Sequence, residues 1–314
     1  MSSIAPFRLA PYFRTRPWGF QDLRPWYDYR TTGEPIGEVW LTGEMCIAET
    51  GPLAGQTLKA ITAEHTQELL GEAAAAGEFP LLIKMLFPKE KLSVQVHPDD
   101  ALAQKYGFPR GKTECWYALD AKDNASVALG LKPGSTPEQI RAAIHDATLE
   151  RHLTWLPVKK GDMIYVDAGT VHAIGPGAVI LETQQTSDLT YRMYDYGSAR
   201  ELHVDLAMQA ARMTTRAGKV APVREGDHTV LVNERYFRVE KWALEAGQAP
   251  DGLGVAKDRV EMLFCTEGSL EIHGEGREPV AVNPWQLAVI PAYTSIRVDC
   301  SVRSEAIRIV PVAV

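Results

Sequence analysis

Short apolar runs, some alternating and some continuous, recur along the first part of the chain and are separated by turn residues. LLIKMLF (81–87), LSVQVH (92–97), ECWYALD (114–120), SVALGLK (126–132), DMIYVD (162–167) and AVILETQQ (178–185) each have the length and texture of a strand. Helix signals are fewer. TAEHTQELLGEAA offers Thr62 as an N-cap with Glu64 in the first turn. STPEQIRAAIHDATLERHL opens with Thr136 as the cap, Pro137 at the first helical position and Glu138 after it. DLAMQAARM predicts a third helix around 203–213, although its apolar spacing is only partly helical. From about residue 228 the strands TVLVN, YFRVEKWAL, VEMLFC, GSLEIHG, PVAVN, WQLAVIPA and SIRVDC follow with almost no helix signal. The pattern predicts a mostly β protein in two modules. The larger spans 1–212 with helical insertions and the smaller spans 228–314; 213–227, where Gly, Pro, Thr and charged residues cluster and periodicity lapses, reads as the linker.

With 314 residues, 45% of them hydrophobic, the chain can bury a large core without disulfides or a structural metal. Cys46, Cys115, Cys265 and Cys300 lie far apart and form no CxxC pair. That argues against a cysteine zinc site or a disulfide framework and points to a reducing, cytoplasmic setting. No signal-peptide pattern is present, nor is any run of about 18 apolar residues, so no membrane partner is expected. A net charge of -7 with scattered Lys and Arg argues against nucleic acid. An acidic protein that takes an anionic metabolite needs a few local cations or a metal to overcome its global field.

Candidate chemistry gathers in two segments. In LSVQVHPDD, Gln95 and His97 stand two apart, so an extended strand puts both on one face while Val94 and Val96 point the other way. Pro98 ends the strand, and Asp99 and Asp100 follow as first-turn residues of a short helix through ALAQKYG. Glu114 opens the next apolar strand. In KKGDMIYVDAGTVHAIGPG a strand, a tight Ala168-Gly169-Thr170 turn and a second strand carry His172. This hairpin resembles the second motif of the cupins, with Asp167 and Pro176 at positions where that motif usually has proline and asparagine. Two imidazoles, a carboxylate and an amide oxygen make a first shell for a divalent cation, and zinc suits the set, although iron, manganese, cobalt or nickel could use it. The remaining histidines, 65, 145, 152, 203, 228 and 273, lack such a patterned setting.

FPLLIKMLFPKEKLSVQVHPDD, GKTECWYAL, GDMIYVDAGTVHAIGPGAVILETQQTSDLTYRMYDYG and RELHVDLA, in this order and spacing over roughly residues 15–210, closely resemble the short bacterial class of type I mannose-6-phosphate isomerases. The resemblance implies a cupin, jelly-roll-like β-barrel with a few helices, followed by a smaller degenerate cupin-like barrel. It implies one zinc per chain, held by Gln95, His97, Glu114 and His172, and interconversion of mannose 6-phosphate and fructose 6-phosphate through an enediolate. It also places an active-site arginine at Arg192, in TYRMYDYG. Glu182 and Asp188 are the carboxylate candidates for the base, and Lys112 could orient or protonate a sugar oxygen. Ser93 and Lys84 are placed to help hold the substrate. Phe20 stands where the family tends to have a second glycine, and the C-terminal module offers no metal-binding set around His273. The expected partner is a small sugar phosphate, with the chain a monomer or homodimer. Two other readings fit the same ligand types: an iron dioxygenase, and a non-catalytic sugar-phosphate-binding cupin.

Overall fold

The computed structural model describes residues 4–247, 250, 252–254, 258–274 and 276–312. Four antiparallel sheets stack in layers. The outermost, five-stranded, runs Tyr191–Tyr194, Val94–Val96, His172–Ile174, Ser126–Leu131 and Leu153–Pro157 in spatial order. It faces a seven-stranded sheet of Gly218–Val220, Met163–Val166, Glu114–Ala121, Ala178–Gln185, Leu81–Leu86, Ile36–Trp40 and Tyr12–Phe20. A second seven-stranded sheet comprises Phe7–Leu9, Leu287–Ile290, Glu261–Glu267, Ser304–Pro311, Phe237–Leu244, His228–Asn233 and Val223–Glu225. Val280–Val282, Leu270–Gly274 and Ile296–Asp299 form the last sheet. The result is two cupin-like double sheets, mostly β with few helices, as the runs of short strands predict.

Period-two side-chain alternation explains the layering. In Leu81–Leu86, Ile83 and Met85 point to one face, where they pack with Leu181 against Met262, Ile307 and Ile309 of the second large sheet. All six are at most 2% exposed. Burying each side chain contributes about 1.5–3 kcal/mol, so the two large sheets hold one another firmly. The outer face of the five-stranded sheet is covered by helices, with Val94, Val96, Ala173 and Met193 packing on Ile140, Ala143 and Ala207. What remains is the inner face of the first double sheet, which is apolar at one end around Trp116, Val127, Ile164 and Ile180.

Local differences from the sequence reading have physical causes. The first helix is Leu58–Glu64, capped by Thr57, whose hydroxyl accepts from the Ala60 amide at 3.2 Å. Thr62 is therefore not the cap, and Glu64 closes the helix rather than opening it. The apolar face that must be buried starts at Leu58 and Ile61, and Thr62 donates to the Leu58 carbonyl at 2.7 Å from inside the helix. Asp99 is the N-cap of Asp100–Lys105 rather than a first-turn residue. Thr136 forms a full capping box with Gln139 ahead of Pro137–His145. The partly periodic third helix is Val204–Ala210. The 213–227 stretch contains two short strands, one paired with each large sheet, and Phe7–Leu9 pairs with Leu287–Ile290. Among the described residues, no helix is long and apolar enough to cross a membrane.

Candidate metal centre and active-site cavity

Strand register builds the site. Across the five-stranded sheet Arg192, Gln95 and His172 are direct cross-strand neighbours, so their side chains form one row on the inner face. Across the opposing sheet Trp116, Glu182, Lys84 and Trp40 form a second row. Glu114, two residues before Trp116, shares its face. The turn before His172 depends on Gly169, which has φ 90° and whose missing Cβ would meet the Arg212 side chain at 2.8 Å.

The donor atoms of His97, Glu114 and His172 lie within 4.8 Å of one another, and all three residues are buried. Backbone carbonyls fix both imidazoles. His97 Nδ1 donates to Leu189 O at 2.8 Å and His172 Nδ1 donates to Thr170 O at 2.9 Å. A carbonyl can only accept, so each ring carries its proton on Nδ1 and turns the Nε2 lone pair toward Glu114. The separations from that carboxylate are 3.7 Å for His97 and 3.4 Å for His172. Burial and the neighbouring Lys112 charge hold the His97 ring well below the ordinary histidine range. Burial, with Lys112 adding to it, pushes His172 down to about 4 against the Thr170 hydrogen bond. Both rings are thus neutral at pH 7, the state that ligates metals. Glu114 Oε2 is buried with no hydrogen-bond partner. Lys112 Nζ stands 2.7 Å from it, close enough to pair but not aligned to donate. Two imidazole nitrogens and a buried carboxylate at these separations fit a divalent cation, and the site is a metal-capable one.

Around this trio the structure brings together every residue singled out from the sequence except one. Gln95 reaches the His172 Nε2 at 3.3 Å through its amide, and Ser93 Oγ is 3.3 Å from Gln95 Oε1. Lys112 lies 3.1 Å from His97 Nε2 and 3.5 Å from Glu182 Oε1, while Lys84 approaches the same Glu182 oxygen at 3.2 Å. Arg192 lends Nη1 to the Glu201 carbonyl at 2.9 Å, leaving Nε buried and without a partner. Asp188 is the exception, exposed at the rim rather than packed among the others.

Lys84, Ser93, Gln95, Lys112, Glu114, Glu182, Arg192 and, at its rim, Asp188 line a cavity of about 440 Å³. Five cations, Arg16, Lys84, Lys112, Arg192 and Arg200, face four carboxylates, Glu38, Glu114, Glu182 and Asp188. Cations are concentrated here in a protein of net charge -7, which supplies the local positive groups that an anionic metabolite needs. Arg16, Trp18, Glu38 and Arg200 were not anticipated. Arg16 grips Glu38 with two bonds of 2.9 and 3.0 Å, and Arg200 grips Asp195 with two of 2.7 and 2.6 Å. Burial opposes ionisation of Glu38, but Lys84, Arg16 and the Trp40 indole outweigh it and bring its pKa down to about 2. Burial likewise opposes the Lys84 charge, and Glu182, Glu38 and Asp188 override it upward. The available signal was IGEVW, which puts Glu38 on the face of Trp40 and hence of Lys84.

A cupin-like double sheet with a buried, metal-capable His-Glu-His trio beside a cation-rich cavity has the make-up of an enzyme site for an anionic small molecule. The family model for phosphomannose isomerase type I, catalytic domain, matches residues 7–133. Mannose-6-phosphate isomerase of Streptococcus mutans is 36% identical over 252 residues, covering 76% of this chain and 79% of that protein. Mannose-6-phosphate isomerase ManA of Bacillus subtilis is 35% identical over 292 residues, 87% of each chain. The crystal structure of the mannose 6-phosphate isomerase from Bacillus subtilis superposes with a TM-score of 0.83 at 31% identity, covering 98% of this chain and 99% of that one. The chain belongs to the type I mannose-6-phosphate isomerase family.

Proposed function

We propose that the protein interconverts mannose 6-phosphate and fructose 6-phosphate, using one zinc ion held by His97, Glu114, His172 and the amide oxygen of Gln95. The observation that carries this is the gathering of the His97, Glu114 and His172 donor atoms within 4.8 Å of one another beside the cation-rich cavity. When bound, zinc polarises the sugar's oxygens and tolerates the reaction without any redox change. Lys84, Arg200 and Arg192 draw the anionic substrate into the cavity and oppose the protein's overall charge. A proton then moves between C2 and C1. Glu182, buried between Lys84 and Lys112, takes and returns it, in preference to the exposed Asp188, which with Ser93 contributes to substrate binding. Lys112, bridging Glu114 and Glu182, hydrogen-bonds a sugar oxygen, and Arg192 faces the enediolate oxygens with its unpaired Nε. A cytoplasmic setting is part of this reading, supported by four free, buried cysteines. So is the division of the chain at 213–227, with 1–212 carrying the chemistry and 228–314 supporting it; the unit is a monomer or homodimer.

A coupled assay for fructose 6-phosphate, run before and after chelation, tests the reading. Activity should fall by at least about a hundredfold and return with zinc. Full turnover with no metal present would remove the ion from the reaction. No fructose 6-phosphate with zinc supplied would remove the isomerase. The Gln95 amide can present oxygen or nitrogen to the centre by a flip of its terminal group. Gln95→Ala should therefore weaken zinc binding by about tenfold, less than loss of either imidazole, since an amide oxygen is the poorest donor of the four. A titration showing unchanged affinity would leave Gln95 outside the metal shell.

A further inference from the structure

Tyr236, immediately ahead of the Phe237–Leu244 strand of the second large sheet, reaches across to the first module and donates its hydroxyl to Asp100 Oδ2 at 2.5 Å. The other Asp100 oxygen accepts from the Gly111 amide at 2.9 Å and from Gln185 Nε2 at 3.0 Å. Gln185 in turn accepts the Thr113 amide on its Oε1 at 2.9 Å. The amide between them, that of Lys112, donates to the Pro98 carbonyl at 3.0 Å. Three successive backbone donors, 111 to 113, are thus fixed, and two of them hang on a single carboxylate whose outer oxygen is held by Tyr236. Gly111 permits the approach: a Cβ there would meet the Pro98 carbonyl oxygen and the Asp99 carbonyl carbon at 2.4 Å. Immediately after the last fixed amide, that of Thr113, the chain enters the buried strand that starts at Glu114, so this clamp sets where both the Lys112 ammonium and the Glu114 carboxylate stand. Asp100 is held ionised below the usual carboxylate range; burial opposes this, and the Tyr236 and Gly111 hydrogen bonds prevail.

We propose that Tyr236 is a positioning residue for the reaction, through which the C-terminal module, by way of Asp100 and Gln185, sets the placement of Lys112 beside Glu114 and Glu182. This rests on the isomerase reading above, since it assigns no chemistry of its own. It gives the C-terminal module a part in catalysis beyond covering the first. A misplacement of well under an ångström at a reacting group is enough to be read in kcat, because effective concentration falls steeply with geometry.

The test uses full-length, zinc-loaded enzyme as wild type, Tyr236→Phe, Asp100→Asn and the double variant. Tyr236→Phe should lower kcat about tenfold while KM for mannose 6-phosphate stays within about twofold, with zinc content unchanged. Asp100→Asn should do the same or more, and the double variant should be no worse than Asp100→Asn alone, because both act through one path. Unaltered kcat in Tyr236→Phe with a lower melting temperature would reduce the contact to a structural tie and overturn the proposal. Losses that multiply in the double variant, or that track zinc loss, would overturn it as well. If wild type itself shows no isomerisation, the functional reading fails first, and that outcome is distinct from a Tyr236→Phe enzyme as fast as an active wild type. Should Asp100→Asn not fold, the Tyr236→Phe and Gln185→Glu pair carries the same comparison.

Discussion

Replacing His172 by alanine is expected to abolish metal retention and isomerisation together. The imidazole contributes one of only two nitrogen donors, and its Nδ1 bond to Thr170 O holds the lone pair on the Glu114 side. Losing even an outer partner of a ligating group costs about 10–100-fold in metal affinity, so loss of the ligand itself should exceed a hundredfold. The remaining His97, Glu114 and amide would hold the ion too weakly to survive dialysis. His172 is 1% exposed and packs edge-on to Trp116 at 5.5 Å, so the variant also opens a small cavity and leaves the Thr170 carbonyl without its donor. That structural cost is about 1–3 kcal/mol, within what a chain of this size tolerates. Circular dichroism and a melting curve therefore separate an unfolded variant from a folded, metal-free one. Metal analysis after dialysis and the fructose 6-phosphate assay complete the experiment. Full zinc occupancy in a folded His172→Ala protein would take His172 out of the first shell.

The four proposed ligands were legible because each sits in a local pattern. Gln95 and His97 follow from strand alternation, and Glu114 and His172 each mark the first residue of a strand after a turn. None of that needs knowledge of which strands are neighbours. The cavity's other half does need it. Glu38 meets both Arg16 and Lys84 only because Tyr12–Phe20 pairs with Ile36–Trp40 and that strand pairs with Leu81–Leu86, a register no local run of residues encodes. Arg200 and Tyr236 lie in loops, where periodicity carries no information. The final strand, SEAIRIVP, escaped for another reason. Its Arg308 is buried in a bridge to Glu240 and Glu261, so a core position is written with a charged residue. The helix cap moved from Thr62 to Thr57 because tertiary burial of Leu58 outweighed a plausible capping residue further along.

Arg192→Ala is the second large effect expected, and its signature should be the reverse of the histidine variant: zinc and fold retained, turnover lost. The backbone of Arg192 is tied twice to His203, donating to its Nδ1 at 3.1 Å and accepting its amide at 2.8 Å, so the strand survives removal of the side chain. The guanidinium is anchored at Nη1 by Glu201 O rather than by any of the metal donors. Burial and the nearby Arg200 lower its pKa, yet a guanidinium keeps its charge throughout the neutral range. A fixed charge with a buried, unpaired Nε is pre-organised for negative charge that develops on the substrate during proton transfer, and such a donor needs no reorganisation at the moment of reaction. Its removal should lower kcat about a hundredfold, equivalent to about 3 kcal/mol. Arg192→Lys should recover only part of this, since an ammonium keeps the charge but loses the planar fork. Steady-state kinetics decide between roles for this residue. A fall in kcat with KM nearly unchanged places Arg192 at the developing oxyanion, whereas a raised KM with intact kcat would move it to ground-state capture of the anion. Wild-type kinetics in a zinc-loaded Arg192→Ala enzyme would take it out of the reaction altogether.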